Sequence, residues 1–345
     1  MRLTQGRLGT NRKISIFVIL VLLCLVIFYS YFKNTVFKEY EKTISGRHIR
    51  LVIGTGSDHF LLAEKAFAEY ERVLKKFSFF EILSETTKLN EAVGVPKEID
   101  SETQDFLSRL LELSEKTLAN YDPLIGSLYL TYNNPEIKKD PLLEKGELIL
   151  EGNTACIGEG LLIFPGRALR GYAMDKVYSV LKECDKNIKG YIKVEEDILI
   201  FGPKAAGSSW ITSLITAEET DLPEEKRPVY LPSGAFFQHN ALKTLPLSKA
   251  QIEEELFLHS STGDPPGPCM ESPPGPCMES PPDPVLSAVY ADTALEASVF
   301  LTAAQNMNPD YFIDRCALWN CVAYLKMQNG EIFKNPEWEL LFVNR

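Results

Sequence analysis

The sequence predicts an α+β domain with mixed helices and a largely antiparallel sheet, preceded by one N-terminal transmembrane helix. Three observations carry this reading. Apolar residues recur at helical spacing in several stretches. Strand-like runs come as hairpins about short turns rather than alternating singly with helices, which argues against a doubly wound parallel sheet. An uncharged apolar run lies close to the N-terminus.

That run is Ile14 to Phe32, ISIFVILVLLCLVIFYSYF. At about 1.5 Å per residue it reaches roughly 28 Å, matching a hydrocarbon thickness of about 30 Å. Arg2, Arg7, Arg12 and Lys13 precede it, so the positive-inside tendency puts the rest of the chain on the extracytoplasmic, periplasmic side of the membrane. Tyr29, Tyr31 and Phe32 stand where an interfacial aromatic belt forms. A cleaved signal peptide is the competing reading, but the run is long for one and no small-x-small site follows. The expected organisation is residues 1–13 cytoplasmic, 14–32 anchor, 33–43 a polar stalk (KNTVFKEYEKT) and 44–345 one domain.

Within the domain, Ile49 to Gly54 reads as a strand and Phe60 to Phe77 as an amphipathic helix. The intervening GTG at Gly54 to Gly56 is not a phosphate loop, because no third glycine and no GK[ST] follows. Helices are expected over Glu102 to Leu118 and Ala168 to Cys184, the second after the Pro165–Gly166 break. Gly190 to Gly202 reads as two strands about an acidic turn, followed by SWITSLIT at Ser209 to Thr216. Gln251 to Leu258 is a short acidic helix, Val285 to Tyr290 a strand and Thr293 to Gln305 a helix. The C-terminus reads as strands broken at Asn329–Gly330.

Composition limits the function classes. The 345 residues are 45% hydrophobic and 24% charged, enough for one large or two small cores. Acidic residues (47) outnumber basic ones (36), so no nucleic acid partner is expected. The seven cysteines show no CxxC and no zinc-ligand spacing with histidine. PPGPCMES at Pro265 to Ser272 repeats at Pro273 to Ser280, making residues 264–284 an exposed loop that proline bars from helix or central strand. For Cys269 and Cys277, one in each copy, a mutual disulfide and free thiols both stay open.

Five segments, taken in order, carry a resemblance. Phe77 to Asn90 (FSFFEILSETTKLN) resembles Phe-Ser followed by Ser-Glu-x-x-x-Leu-Asn. Ala119 to Leu128 (ANYDPLIGSL) is similar to Gly-x-Phe-Asp-Pro-Thr-x-x-Pro-Leu. Pro165 to Asp175 (PGRALRGYAMD) is similar to Leu-Gly-Gly-Ile-Ala-Lys-Gly-Tyr-Ala-Val-Asp. Pro232-Ser233-Gly234 takes the place of Ser-Thr-Ser-Gly, and Thr293 to Ala303 (TALEASVFLTA) resembles Thr-Ala-x-x-Ala-Asp-Ala-x-x-Thr-Ala. Together they resemble the ApbE family, the FAD:protein FMN transferases, from about Gly46 to Tyr324.

The resemblance implies a Mg²⁺-dependent reaction in which FAD is bound, its pyrophosphate split, and FMN joined through phosphate to a threonine or serine of another protein. The implied acceptor is an extracytoplasmic flavoprotein domain, such as a subunit of a sodium-translocating NADH:quinone reductase. A pyrophosphate needs its charge neutralised before a hydroxyl attacks, which is the work of a cation held by a few oxygens. The family's metal-holding Asp and Thr fall on Ser298 and Thr302, so the threonine is kept and the carboxylate is gone; Asp292, just before that helix, is the substitute with the easier reach. Ser84, Glu85 and Asn90 match a flavin-lining segment, and Asp122 a turn beside it, with capping and turn formation as the alternative uses of these residue types. Arg170 replaces the family lysine and keeps a phosphate-binding charge. Asp175 matches an aspartate near the nucleotide pocket, and Ser233 and Gly234 the family's Ser-Gly. Glu195–Glu196 replace a Gly-Gly of many relatives. His259, in the shortened HSSTG, is the candidate general base. The rival to transfer is a flavin-binding or scaffold descendant that has lost it through the change at Ser298.

Overall fold

The computed structural model describes residues 16–26, 36–127, 146–204, 208–214, 228–231, 233–240 and 284–343. Residues 16–26 are helical and exposed. Among the described residues no helix is long and apolar enough to cross a membrane, and the remainder of the 14–32 run lies outside them.

The first strands are β1 (Phe37–Ile44) and β2 (Arg47–Gly54), antiparallel from Phe37 opposite Gly54 to Ile44 opposite Arg47. Ser45 (φ 50°) and Gly46 (φ 77°) form the two-residue turn, with the left-handed backbone that matches strand twist. This corrects the stalk expected over 33–43: from Phe37 onward the segment is the edge strand of the main sheet. Its charged residues face water, the usual protection of an edge, which is why FKEYEKTI reads as polar linker.

The main sheet continues through β6 (Lys189–Val194), β7 (Asp197–Ile200), β10 (Gly234–Asn240), β11 (Pro284–Ala291), β12 (Val322–Met327) and β13 (Ile332–Lys334). The strand order is β1-β2-β6-β7-β10-β11-β12-β13, with every neighbour antiparallel. Side chains alternate between two cores: Leu199, Ala235 and Phe237 face the helices, while Ile198, Ile200 and Phe236 face Tyr324, Trp338 and Trp210, the last on β8 (Trp210–Thr212), which pairs with β9 (Val229–Leu231). The Glu195–Glu196 turn joins β6 to β7, and Glu195, at φ 54°, accepts the His48 N–H at 2.9 Å.

Three helices cover the first face. α1 (His59–Phe77), capped by Asp58, buries Leu62, Ala66, Phe67, Tyr70, Val73 and Phe77 along one stripe; each large side chain contributes on the order of 2 kcal/mol by leaving water. After α2 (Glu85–Asn90) and α3 (Ser101–Lys116), α4 (Arg167–Cys184) packs against α1 and against α5 (Ala294–Asn306). α5 is buried on nearly all sides, between the sheet and its helical neighbours. α6 (Pro309–Trp319) lies where only strands were expected. Its signals are local: Asn308 caps it, Pro309 opens it and Asn320 closes it at φ 55°. A satellite core of Leu89, Ile99, Leu107, Ala155, Ile157 and Ile163 joins α2 and α3 to the small sheet β3 (Lys97–Glu98), β5 (Thr154–Ile157) and β4 (Leu148–Glu151). Gly54 ends β2 against Phe37, whose ring a Cβ there would meet at 2.6 Å, so the GTG is a packed strand end.

Candidate functional site

Bonds to backbone groups tie the motif segments to one another or to residues just beside them. Asn90 donates from Nδ2 to the Ile163 carbonyl (2.9 Å) and accepts the Ile163 N–H (2.7 Å). Pro123 accepts the Phe164 N–H at 2.7 Å, and Tyr121 Oη donates to the Pro165 carbonyl at 3.1 Å. Asp175 accepts from the Ala294 and Leu295 nitrogens, both at 2.9 Å, capping α5 from a neighbouring helix. Tyr290 Oη donates to the Ser233 carbonyl at 2.8 Å, and Gly234 (φ 88°) lies so close that a Cβ there would sit 2.7 Å from that hydroxyl.

A cavity of about 170 Å³ opens where the first and third motifs meet. Its wall is Phe79, Phe80 and Phe164, packed edge-to-face with centroids 5.1 to 6.1 Å apart. Its polar side is Arg47, delivered by the β1–β2 turn, with Tyr70, Arg170, Ser45, Ser78 and one carboxylate, Glu81. Arg170 is 5% exposed, lies 5.9 Å over the Phe237 ring and is ion-paired with Asp197. That contact is close but off-line for a hydrogen bond, so Nε and Nη2 have no directed partner among the described residues. Asp197 is held in turn by the Gln238 N–H at 3.0 Å. Burial first, and then repulsion from Arg170 and Arg167, lowers the Arg47 guanidinium to about 10 against the pull of Tyr70 and Asp197. Burial pushes the Tyr70 hydroxyl up to about 12. A guanidinium cluster disfavoured in this way is stabilised by an incoming anion, and the phenyl wall suits a flat ring beside it.

Of the described residues expected at the site, only Arg170 lines this cavity. Ser84 caps α2, accepting the Thr87 N–H at 3.0 Å and donating to the Ser78 carbonyl at 2.6 Å. Glu85 pairs with Lys88 on the same helix at 2.8 Å. Asn90 clamps Ile163, and Asp122 closes an Asx turn on the Leu124 N–H at 2.9 Å. Ser84 thus makes a cap and Asp122 a turn, while Glu85 makes an ion pair and Asn90 a backbone clamp. Asp175 positions a helix; burial raises its carboxyl to about 6 despite two N–H donors. His259 and the 264–283 part of the proline-rich loop lie outside the described residues. Arg47, Tyr70, Phe79, Phe80 and Phe164 were missed. Phe79 and Phe80 sit inside the first motif, but nothing local pairs Arg47 with Arg170, which meet only through the sheet.

The metal set does not assemble. Ser298 is fully buried and donates to the Leu295 carbonyl at 2.7 Å; Thr302 donates to the Ser298 carbonyl at 3.0 Å. Gly171 of α4 approaches so closely that a Cβ there would lie 2.6 Å from Ser298 Oγ. Asp292 is exposed and accepts from Asn320 Nδ2 at 2.8 Å, so it does not replace the missing carboxylate. Two neutral hydroxyls bonded within their own helix do not fit a hard cation, and among the described residues no cluster of His, Cys, Asp or Glu suits a metal.

The ApbE family model matches residues 39–229. Similar solved structures include the ApbE protein of Thermotoga maritima, with TM-score 0.70 and 17% identity over 89% of this chain and 100% of that one. The flavinyl transferase ApbE of Pseudomonas stutzeri follows at 0.67 and 15%, covering 90% and 99%. The flavin transferase ApbE of Vibrio cholerae gives 0.67 and 14%, covering 89% and 99%. No curated protein sequence matches the chain.

Proposed function

The chain belongs to the ApbE family, and on that premise we propose that it is a flavin transferase taking FAD as donor and joining FMN to a threonine or serine of a protein acceptor. The observation that carries this reading is the cavity between the first and third motifs, with Phe79, Phe80 and Phe164 against Arg47 and Arg170. The phenyl wall holds the isoalloxazine, and the guanidiniums hold phosphate oxygens and orient them. In the reaction the acceptor hydroxyl oxygen bonds to the FMN phosphorus, the pyrophosphate P–O bond breaks and AMP leaves, with the hydroxyl proton passing to a base. Mg²⁺, where bound, supplies charge neutralisation to such a transfer. Because Ser298, Thr302 and Asp292 do not fit the ion, no step is assigned to it here.

The run Ile14 to Phe32 and the basic residues before it support an anchor that holds the domain outside the cytoplasm, where the acceptor is an extracytoplasmic domain of a redox membrane protein. A second reading, a flavin-binding protein without transfer, is favoured by one observation: the inward hydroxyl of Ser298 where relatives carry a carboxylate.

The test incubates the full chain with FAD, Mg²⁺ and a candidate acceptor, such as a threonine-bearing subunit of a sodium-translocating NADH:quinone reductase, and weighs the acceptor. An FMN-sized gain is expected. FAD binding without gain selects the second reading, and neither binding nor gain overturns both.

A further inference from the structure

We propose that Cys316 and Cys321 form an intramolecular disulfide that staples the end of α6 to the start of β12. The geometry comes from how the helix ends. Asn320 takes the left-handed conformation (φ 55°, ψ 47°), and both its N–H and that of Cys321 turn back to the Cys316 carbonyl, the latter at 3.0 Å. In this helix ending the side chain four residues before the left-handed residue and the side chain directly after it come into contact. Here both are cysteines. Cys316 is fully buried and Cys321 is 4% exposed. The Cys321 thiol donates to Cys316 sulfur, whose own S–H donates to the Phe312 carbonyl at 3.4 Å.

This S–H···S–H···O relay raises the Cys321 thiol far above its ordinary range, with burial adding to the effect. A neutral, buried thiol is a poor nucleophile, so the folded dithiol is slow to oxidise. The bond therefore forms while the chain folds, before Trp319 stacks on Phe300 and closes α6 over α5. With a disulfide such as oxidised glutathione as oxidant, one thiolate attacks it and releases one glutathione thiolate. The second cysteine then displaces the other. Two S–H bonds and one S–S bond are broken, two protons leave, and two electrons end on two glutathione thiols. Cys316 and Cys321 are free thiols in the structure, as are Cys156, half-buried on β5, and the exposed Cys184 at the end of α4. The inference does not depend on flavin binding.

The test denatures the full chain under reduction and refolds it in a glutathione redox buffer. Remaining thiols are then blocked with an alkylating agent and peptides are mapped by mass. The expected result is one peptide spanning Cys316 and Cys321 that lacks two hydrogens and carries no alkyl group, while Cys156 and Cys184 are alkylated. Adding the oxidant only after folding should leave Cys316 and Cys321 reduced many-fold longer. Recovery of native protein with both cysteines alkylated, or joined to other cysteines, would overturn the proposal. A double Cys316→Ala, Cys321→Ala chain serves as the mass control and should refold to the same circular dichroism spectrum.

Discussion

Asp175 on α4 bonds through both carboxylate oxygens to the first turn of α5, at 2.9 Å from the Ala294 nitrogen and 2.9 Å from the Leu295 nitrogen. The contact fixes the two helices that carry the third and fifth motifs. Its carboxyl titrates at about 6 in the fold against an ordinary 3.8. The folded state therefore holds an extra proton between those values, and this group's contribution to stability falls as pH rises from about 4 to about 6, then levels. Thermal unfolding of Asp175→Asn should lose that slope. Asp175→Ala, which leaves two helix N–H groups unpartnered, should cost about 1–2 kcal/mol at neutral pH.

Gly171 lets α4 pack closely on α5. A methyl there would meet the Ala294 carbonyl oxygen at 2.3 Å. Gly171→Ala should therefore destabilise by about 1–3 kcal/mol, since overpacking outweighs the helix propensity gained. Denaturant unfolding reads it as a lowered midpoint with an unchanged slope.

Asn90 holds the segment leading into the cavity through two bonds to Ile163. Asn90→Ala should cost about 2 kcal/mol in stability and weaken FAD binding, because Phe164 and Pro165 follow directly. Asn90→Asp keeps the acceptor but loses the donor, and should fall between the two. Calorimetry of unfolding together with a flavin titration separates the two effects.

The amphipathic helices α1 and α3 were legible because each buries one stripe; α4, buried continuously from Arg167 to Met174, and α5, buried nearly all round, were legible without one. Edge strand β1 was not, since its outward charges mask the alternation. α6 was passed over although Asn308, Pro309 and Asn320 mark its ends. At the site, residue types were legible; Asn90 and Asp175 bind backbone, a use that sequence cannot separate from ligand binding. The cavity draws Arg47, Tyr70, Phe80 and Arg170 from three elements and a loop, a convergence only the tertiary fold creates.

The buried hydroxyl of Ser298 predicts that the unaltered chain shows no Mg²⁺ binding through α5. Isothermal titration with Mg²⁺ should give the same response for the unaltered chain and for Thr302→Val. Ser298→Asp buries a carboxylate beside Gly171, so it should lower the melting temperature in the absence of metal, and added Mg²⁺ should restore part of the loss.

FAD binding by the full chain, followed by flavin fluorescence, tests the cavity assignment most directly. Phe80 is 45% exposed at the rim, so Phe80→Ala should leave the melting temperature unchanged while weakening FAD about tenfold, a loss of about 1.4 kcal/mol of ring contact. Arg47→Met should weaken FAD further and leave its binding less dependent on salt than in the unaltered chain. Absence of saturable FAD binding, or binding that neither substitution alters, would contradict the account.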